Sequence, residues 1–192
     1  MRKLFVFNLI TLDGFFEGPN QSIDWHNVDG EFNEFAAEQL AEIDVIVFGR
    51  VTYQGMASYW PTSFAIENDP VIAAKMNSMS KIVISHTLDK AEWNNTRLIK
   101  DNVAEEIAKL KRQPGKDLAV FGSGNLTASL MQMGLVDELR ILVNPIVLGR
   151  GTPLFQSTAD PIKLKLIKTR TFGNGNVLLC YQVGLLSDQR KE

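Results

Sequence analysis

A chain of 192 residues, 45% hydrophobic and 22% charged, is long enough to bury a sizeable core and has the composition of one ordinary globular domain. Its formal net charge of −2 leaves no basic excess to neutralise phosphates, which excludes a nucleic-acid binder held by electrostatics. One cysteine, Cys180, and two histidines, His26 and His86, supply neither an internal disulfide nor a metal-ligand spacing.

The expected organisation is a single domain over residues 1–185 with a polar, frayed tail over 186–192. The apolar start is broken by Asn8 and Asp13 and so does not read as a signal peptide. No stretch approaches the length of a membrane span, and a cytoplasmic protein is expected.

In chain order, Lys3 to Ile10 is an apolar run suited to a strand covered on both faces. The loop Thr11-Leu-Asp-Gly-Phe-Phe-Glu-Gly-Pro-Asn20 follows, glycine-rich and carrying charge and aromatics, as ligand-covering loops do. Asp24 and Asn27 are candidate caps for a helix over Gly30 to Glu42, with Phe32, Phe35, Ala36 and Leu40 on one face. Ile43 to Phe48 is a β-branched strand ending in Gly49-Arg50, and a helical segment runs from Thr52 to Tyr59. Pro70 sits in the first turn of a helix reaching Met79. Short strands are expected at Lys81 to Ser85 and Arg97 to Ile99. Asn102 caps a helix with Val103, Ile107 and Leu110 on one side and Glu105, Glu106, Lys109 and Lys111 on the other; Pro114-Gly115 ends it.

Asp117 to Leu130 changes hydrophobic period in the middle of a glycine turn. Leu118 to Phe121 is a buried strand, and Leu126, Leu130, Met131 and Met133 continue at helical spacing. Between them lie Gly122-Ser123-Gly124. A strand, glycine turn and helix in that order put free backbone N–H groups and the positive end of a helix dipole at a sheet edge, where a phosphate binds. The turn lacks the third glycine of the dinucleotide fingerprint and the lysine of a P-loop. Beyond it, Leu135 to Val143, Ile162 to Phe172 and Val177 to Val183 are strands, the last two joined by a hairpin at Gly173-Asn-Gly-Asn176. Cys180 falls in the last apolar run as a core thiol.

Strands alternating with helices, then a hairpin, predict a mostly parallel sheet with an antiparallel edge and helices on both faces, a three-layer α/β fold. Ligands in such sheets bind outside the carboxyl ends of the strands. Four polar turns fall there: Asp13-Gly14, Gly49-Arg50-Val51-Thr52, Ser85-His86 and Gly122-Ser123-Gly124-Asn125. Arg50 can pair with a phosphate while Thr52 and the first helical amides bind another oxygen, or it is a surface arginine beside a threonine cap. Asp13 can orient a substrate amine or make an Asx turn with Gly14. The glycines flanking Ser123 are too close to it for a nucleophile elbow, which argues against a hydrolase.

The motifs Thr11-Leu-Asp-Gly14, Val47-Phe-Gly-Arg-Val-Thr52, Ile82-Val-Ile-Ser85, Val120-Phe-Gly-Ser-Gly124, Leu135-Val-Asp-Glu-Leu139 and Pro145-Ile-Val-Leu-Gly-Arg-Gly-Thr-Pro-Leu-Phe155 resemble the dihydrofolate reductase-like superfamily. More narrowly they resemble stand-alone relatives of the reductase domain of bacterial riboflavin biosynthesis. The resemblance implies an NADPH-dependent reductase of a small heterocyclic (pteridine- or pyrimidine-like) or carbonyl substrate. The alternative is a non-catalytic ligand-binding module that keeps the fold. By the same resemblance, Gly49, Arg50, Val51 and Thr52 hold cofactor phosphates, Ser85 and His86 the ribose 2′-phosphate end, and Gly122, Ser123, Gly124, Asn125 and Leu126 the pyrophosphate. Leu12, Gly14 and Trp25 belong to a loop closing over nicotinamide and substrate. Asp13 and Asp24 are candidate proton donors, with water as a third. The family resemblance also implies a homodimer, for which Leu135 to Leu148 offers apolar surface that a monomer would equally bury.

Overall fold

The computed structural model describes residues 1–155 and 161–184; the polar tail lies outside them. Its elements run β1 (Leu4–Thr11), β2 (Phe15–Glu17), α1 (Gly30–Glu42), β3 (Ile43–Gly49), α2 (Arg50–Tyr59), α3 (Ser63–Asn68), α4 (Pro70–Ser78), β4 (Ser80–Ile84), β5 (Thr96–Ile99), α5 (Val103–Arg112), β6 (Asp117–Phe121), α6 (Gly124–Gln132), β7 (Glu138–Asn144), β8 (Thr152–Pro153), β9 (Leu164–Thr171) and β10 (Val177–Val183). Eight strands form one sheet in the order β5-β4-β3-β6-β1-β7-β10-β9. The pairs from β5 to β7 are parallel, and β10 runs antiparallel between β7 and β9. This is the expected fold class.

Period-two burial explains the layers. β1 sends Phe5 and Phe7 to one face and Leu4 and Val6 to the other; β3 divides Ile46 and Phe48 from Val45 and Val47 in the same way. On the first face Phe35 and Leu40 of α1, Tyr53 of α2 and Ile72 and Met76 of α4 complete a core. On the second, Ile107 of α5 and Leu126, Leu130 and Met131 of α6 complete another. Burying each such side chain stabilises by roughly 1.5–3 kcal/mol, so these two seams, more than helix propensity, hold the layers together.

Several local expectations are corrected. Neither Asp24 nor Asn27 caps α1: Phe32 N–H donates to the carboxylate of Asp29, the N-cap. Asn102 makes no side-chain cap and instead turns the chain with a left-handed backbone. Lys111, expected on the polar side of α5, is buried; its Nζ donates to the Leu135 carbonyl and pairs with Asp137 at 2.6 Å. That pairing fixes the chain where it enters β7, which begins at Glu138 rather than at Leu135. β7 lies inside the sheet between β1 and β10, so Leu139, Ile141 and Leu142 are buried within one subunit. The hairpin turn forms where expected, with Phe172 N–H donating to Asn176 O and Gly175 N–H to Phe172 O. Cys180 is a buried free thiol. Among the described residues no helix is long and apolar enough to cross a membrane.

Candidate functional site

Because β4, β3, β6 and β1 are parallel neighbours, their carboxyl ends share one rim. Gly49 pairs with Ile84 in register, Val47 with Val120, and Phe7 with Phe121. The turns after these strands, which carry Asp13, Arg50, Ser85 and Ser123, therefore stand side by side. Two of them are pressed together. A Cβ on Gly49 would collide with the Ser123 hydroxyl, and one on Gly122 would lie 2.9 Å from Thr52 Cγ2 and 3.1 Å from its Oγ1.

Both helices that leave this corner begin without a side-chain cap. α2 starts directly at Arg50 after the N-cap Gly49, and α6 at Gly124 after Ser123. Gly122 and Ser123 adopt consecutive positive φ angles of 70° and 61°, so the chain curls and leaves the amides of Gly124, Asn125 and Leu126 ahead of the first helical bond, Thr127 N–H to Ser123 O. The Arg50 side chain is exposed, its Nη1 donating to Gln54 Oε1 one turn along at 3.1 Å. Val51 is also exposed. Two orphaned polar atoms adjoin this corner: Asn8 Nδ2 on β1, the residue after the partner of Phe121, and Thr127 Oγ1 in the fourth position of α6. Two adjacent helix N-termini with free amides and an exposed guanidinium have the donor set for a dianionic pyrophosphate.

At the next strand end, Ser85 is buried and its Oγ accepts from the Thr87 and Leu88 amides at 3.2 and 3.0 Å and shares a 3.4 Å contact with the Thr87 hydroxyl, so it orders its own turn. His86 is exposed, with Nδ1 3.9 Å from Asp101 Oδ1.

The profile of the RibD C-terminal domain family matches residues 2–178. The chain belongs to this family. The Bacillus subtilis (strain 168) protein YyaP is 36% identical over 182 residues, covering 94% of each chain. A putative riboflavin biosynthesis protein from Shewanella sp. PV-4 superposes with a TM-score of 0.72 at 24% identity, over 95% of this chain and 99% of that one. A dihydrofolate reductase from Enterococcus faecalis complexed with NADP(H) and RAB-propyl superposes with a TM-score of 0.61 at 16% identity, over 95% and 96%. The fold is dihydrofolate reductase-like.

What the sequence of this RibD C-terminal domain does not reveal is how the covering loop after β1 is built into a flap by a second segment. β2 and β8 pair antiparallel, and Leu154 N–H donates to Gly14 O, joining the loop after β1 to the loop after β7. Asp13 is the clamp: Thr11 Oγ1 donates to Oδ1 at 2.6 Å, Gly149 N–H to Oδ2 at 2.7 Å and Leu148 N–H to Oδ1 at 3.3 Å. The Thr11 hydroxyl, helped by the two amides, holds the carboxyl below its usual range. Asp13 is thus an ionised acceptor that shapes the flap. Leu12 is exposed and its amide donates to Ile146 O. The flap touches the corner between α2 and α6, because a Cβ on Gly124 would lie 2.9 Å from the Phe16 ring and 3.3 Å from Leu154 O. Its sequence signals were the glycine-rich loop from Thr11 to Asn20 and the glycines at 149 and 151 in the Pro145–Phe155 motif.

Asp24 is exposed and, among the described residues, bonded to Ser22 alone, whose hydroxyl donates to its carboxylate at 3.1 Å. Trp25 Nε1 donates to Ser22 O, and its ring meets His26 edge-on at 4.5 Å. His26 has a buried, unpartnered Nε2, and burial pushes its pKa down to about 4, so it is neutral at pH 7. Asn27 ties this loop to the far strands: its amide donates to Asn144 Oδ1 and its Nδ2 to Asn174 O, while Asn176 Nδ2 donates to its carbonyl. Among the described residues no three His, Cys, Asp or Glu side chains gather to hold a metal ion. An open cleft of about 710 Å³ between Arg2, Asp44, Lys81, Trp93 and Arg97 lies at the starts of the strands, on the opposite rim. Its buried lysine is occupied: Lys81 Nζ caps α4 by donating to the carbonyls of Met76, Asn77 and Met79.

Proposed function

We propose that this RibD C-terminal domain is an NADPH-dependent reductase of a small heterocyclic or carbonyl substrate. Its family and fold support a reductase-like role. The observation that carries the finer assignment is the corner where two uncapped helix N-termini from neighbouring strands press together, so closely that Gly49 and Gly122 leave no space for a methyl group. In this assignment the amides from Gly122 to Leu126 take the pyrophosphate, and Arg50 with the Gly49 to Thr52 turn takes further phosphate oxygens. Ser85 and His86 lie under the adenosine ribose. The flap from Leu12 to Trp25, locked by Asp13, covers the nicotinamide and substrate and excludes water.

When bound, the cofactor supplies a hydride from C4 of its nicotinamide. The chain's own part is to fix the distance and angle between that carbon and the acceptor. Asp13, ionised and fully engaged with flap donors, serves as a positioning residue; Asp24 or water remains to deliver the proton. Titrating the protein with NADPH while following fluorescence, then following cofactor oxidation against a panel of pterins, pyrimidines and carbonyl compounds, tests both halves. Binding with oxidation by one class is the expected outcome. Binding without oxidation leaves a ligand-binding module, and no binding at millimolar NADPH removes the assignment.

A further inference from the structure

The layer made by α1 and α2 does not close over the end of β6. α1 lies over β1 and the β9–β10 turn through Phe35, whose ring meets Phe7 at 5.8 Å and Phe172 at 5.5 Å. α2 lies over β3 and β4, with Tyr53 against Phe48. β6 runs between β1 and β3, and its last residue, Phe121, directly precedes the Gly122-Ser123-Gly124 turn. The Phe121 ring meets Phe7 edge-on at 6.2 Å, and Phe35 meets Phe32, in the first turn of α1, at 6.4 Å. Phe7 and Phe35, in the middle of this row of rings, are buried, while Phe32 and Phe121 at its two ends keep part of their surface exposed. Leu9 of β1 and Met56 of α2 pack on the same core and are also partly exposed.

This strip offers rings and methyl groups, and the polar groups at its borders are engaged. The Met56 sulfur accepts from Trp60 Nε1 at 3.0 Å. The acids at the start of α1 are turned elsewhere: Asp29 accepts from the Phe32 amide, and Glu31 accepts from Gly173 N–H at 2.8 Å and Arg170 Nη2 at 3.1 Å. The Gly173 amide and the Arg170 guanidinium hold the Glu31 carboxyl below its usual range. Asn33 Nδ2 donates to Asp69, and Arg50 reaches along its own helix to Gln54. A pterin presents N–H donors side by side and needs a carboxylate opposite them, and a phosphoribosyl group needs cations. Leu9, Phe32, Met56 and Phe121 provide neither.

We infer that the acceptor is a flat, uncharged ring bearing a conjugated carbonyl, an aromatic ketone or quinone, packed against Phe32 and Phe121. This rests on the reductase reading proposed above and names its substrate class. Such a ring covers the exposed parts of two phenylalanines and adds the preference of aromatic faces and edges for one another, with no charge to desolvate. In the reduction of a ketone the carbonyl carbon takes the hydride from NADPH and its π pair moves to the oxygen. That oxygen takes one proton, from water or Asp24, leaving an alcohol and NADP⁺.

The test measures dissociation constants by calorimetry on protein saturated with NADP⁺, with indanone and naphthoquinone as carbonyl probes and a pterin and uridine monophosphate as polar ones. At least one carbonyl probe is expected to bind about tenfold or more tighter than either polar probe, and NADPH oxidation with the same compounds to follow the same order. Phe32→Ala and Phe121→Leu are each expected to weaken the carbonyl probe about tenfold, while Phe32→Tyr, which keeps the ring, stays within about threefold of the wild type. A thermal scan of each variant reports whether the fold is kept. Tighter binding of the pterin or the nucleotide, no binding of either carbonyl probe, or carbonyl binding that neither Phe32→Ala nor Phe121→Leu alters overturns the inference and leaves the cofactor site standing. Failure of NADP⁺ to bind in its own titration removes the cofactor site itself, a result distinct from these.

Discussion

Replacing Gly122 by alanine probes the corner on which the cofactor site depends, and its cost can be worked from two separate terms. Gly122 has φ of +70°, a conformation that costs a residue with a Cβ about 1 kcal/mol. The new methyl would stand 2.9 Å from Thr52 Cγ2, whereas carbon pairs settle near 3.5–4.0 Å, so α2 and the turn must part by roughly half an ångström or more. Overpacking of this kind costs about 1–3 kcal/mol. The sum, about 2–4 kcal/mol, corresponds to a fall of roughly 5–15 °C in Tm for a domain of this size. Thermal and urea unfolding of the cofactor-free protein measure it. Thr52→Ser deletes the colliding Cγ2 and keeps the hydroxyl, so in the double variant the steric part should be relieved while the backbone part remains, giving a coupling of at least about 1 kcal/mol. A loss below about 1 kcal/mol for Gly122→Ala, with additive behaviour in the double variant, would refute the contact between the two turns.

Arg50→Ala should weaken NADPH by about 10- to 100-fold while leaving the Tm of the free protein within a degree or two, because among the described residues its exposed guanidinium bonds Gln54 alone; calorimetric titration reads the first and a thermal scan the second. Asp13→Asn should loosen the flap, seen as faster hydrogen exchange at Leu148, Gly149 and Leu154 with the sheet unchanged; protection equal to wild type would deny it a clamping role. His26 gives a pH signature. Its folded pKa of about 4 lies below the unfolded value of about 6.5, so between them the unfolded chain binds more protons and stability falls as pH drops, by up to roughly 3 kcal/mol. His26→Phe should flatten that window in urea-unfolding series from pH 7 to pH 4, and an unchanged slope would show that the imidazole is not buried.

The fold was readable because continuous apolar runs in β1, β3 and β6 and helical spacing in α1 and α5 are short-range signals with one satisfactory packing. The glycine turns were readable for a related reason: a strand and a helix joined by Gly122-Ser123-Gly124 leave few backbone paths. What the sequence hid depends on distant partners. Asp13 reads as an Asx-turn residue or a proton donor until the loop at Leu148 and Gly149 arrives more than 130 residues later. β8 has only two residues and no periodicity, so the flap is visible only through its pairing with β2. Lys111 reads as a solvent-facing helix residue because nothing local announces Asp137 beneath it. Asp24 and Asn27 were plausible caps, and Asp29 won because its backbone, extended at φ −141°, aims the carboxylate at Phe32 N–H.

The most direct measurement of the central claim is a heteronuclear NMR titration of ¹⁵N-labelled protein with NADPH, following backbone amides residue by residue. The largest shifts are expected at Arg50, Val51 and Thr52 and at Ser123 through Leu126, with smaller ones at Ser85 and His86. Shifts confined to the cleft around Lys81 and Arg97 on the opposite rim, or none at saturating cofactor, would contradict the account.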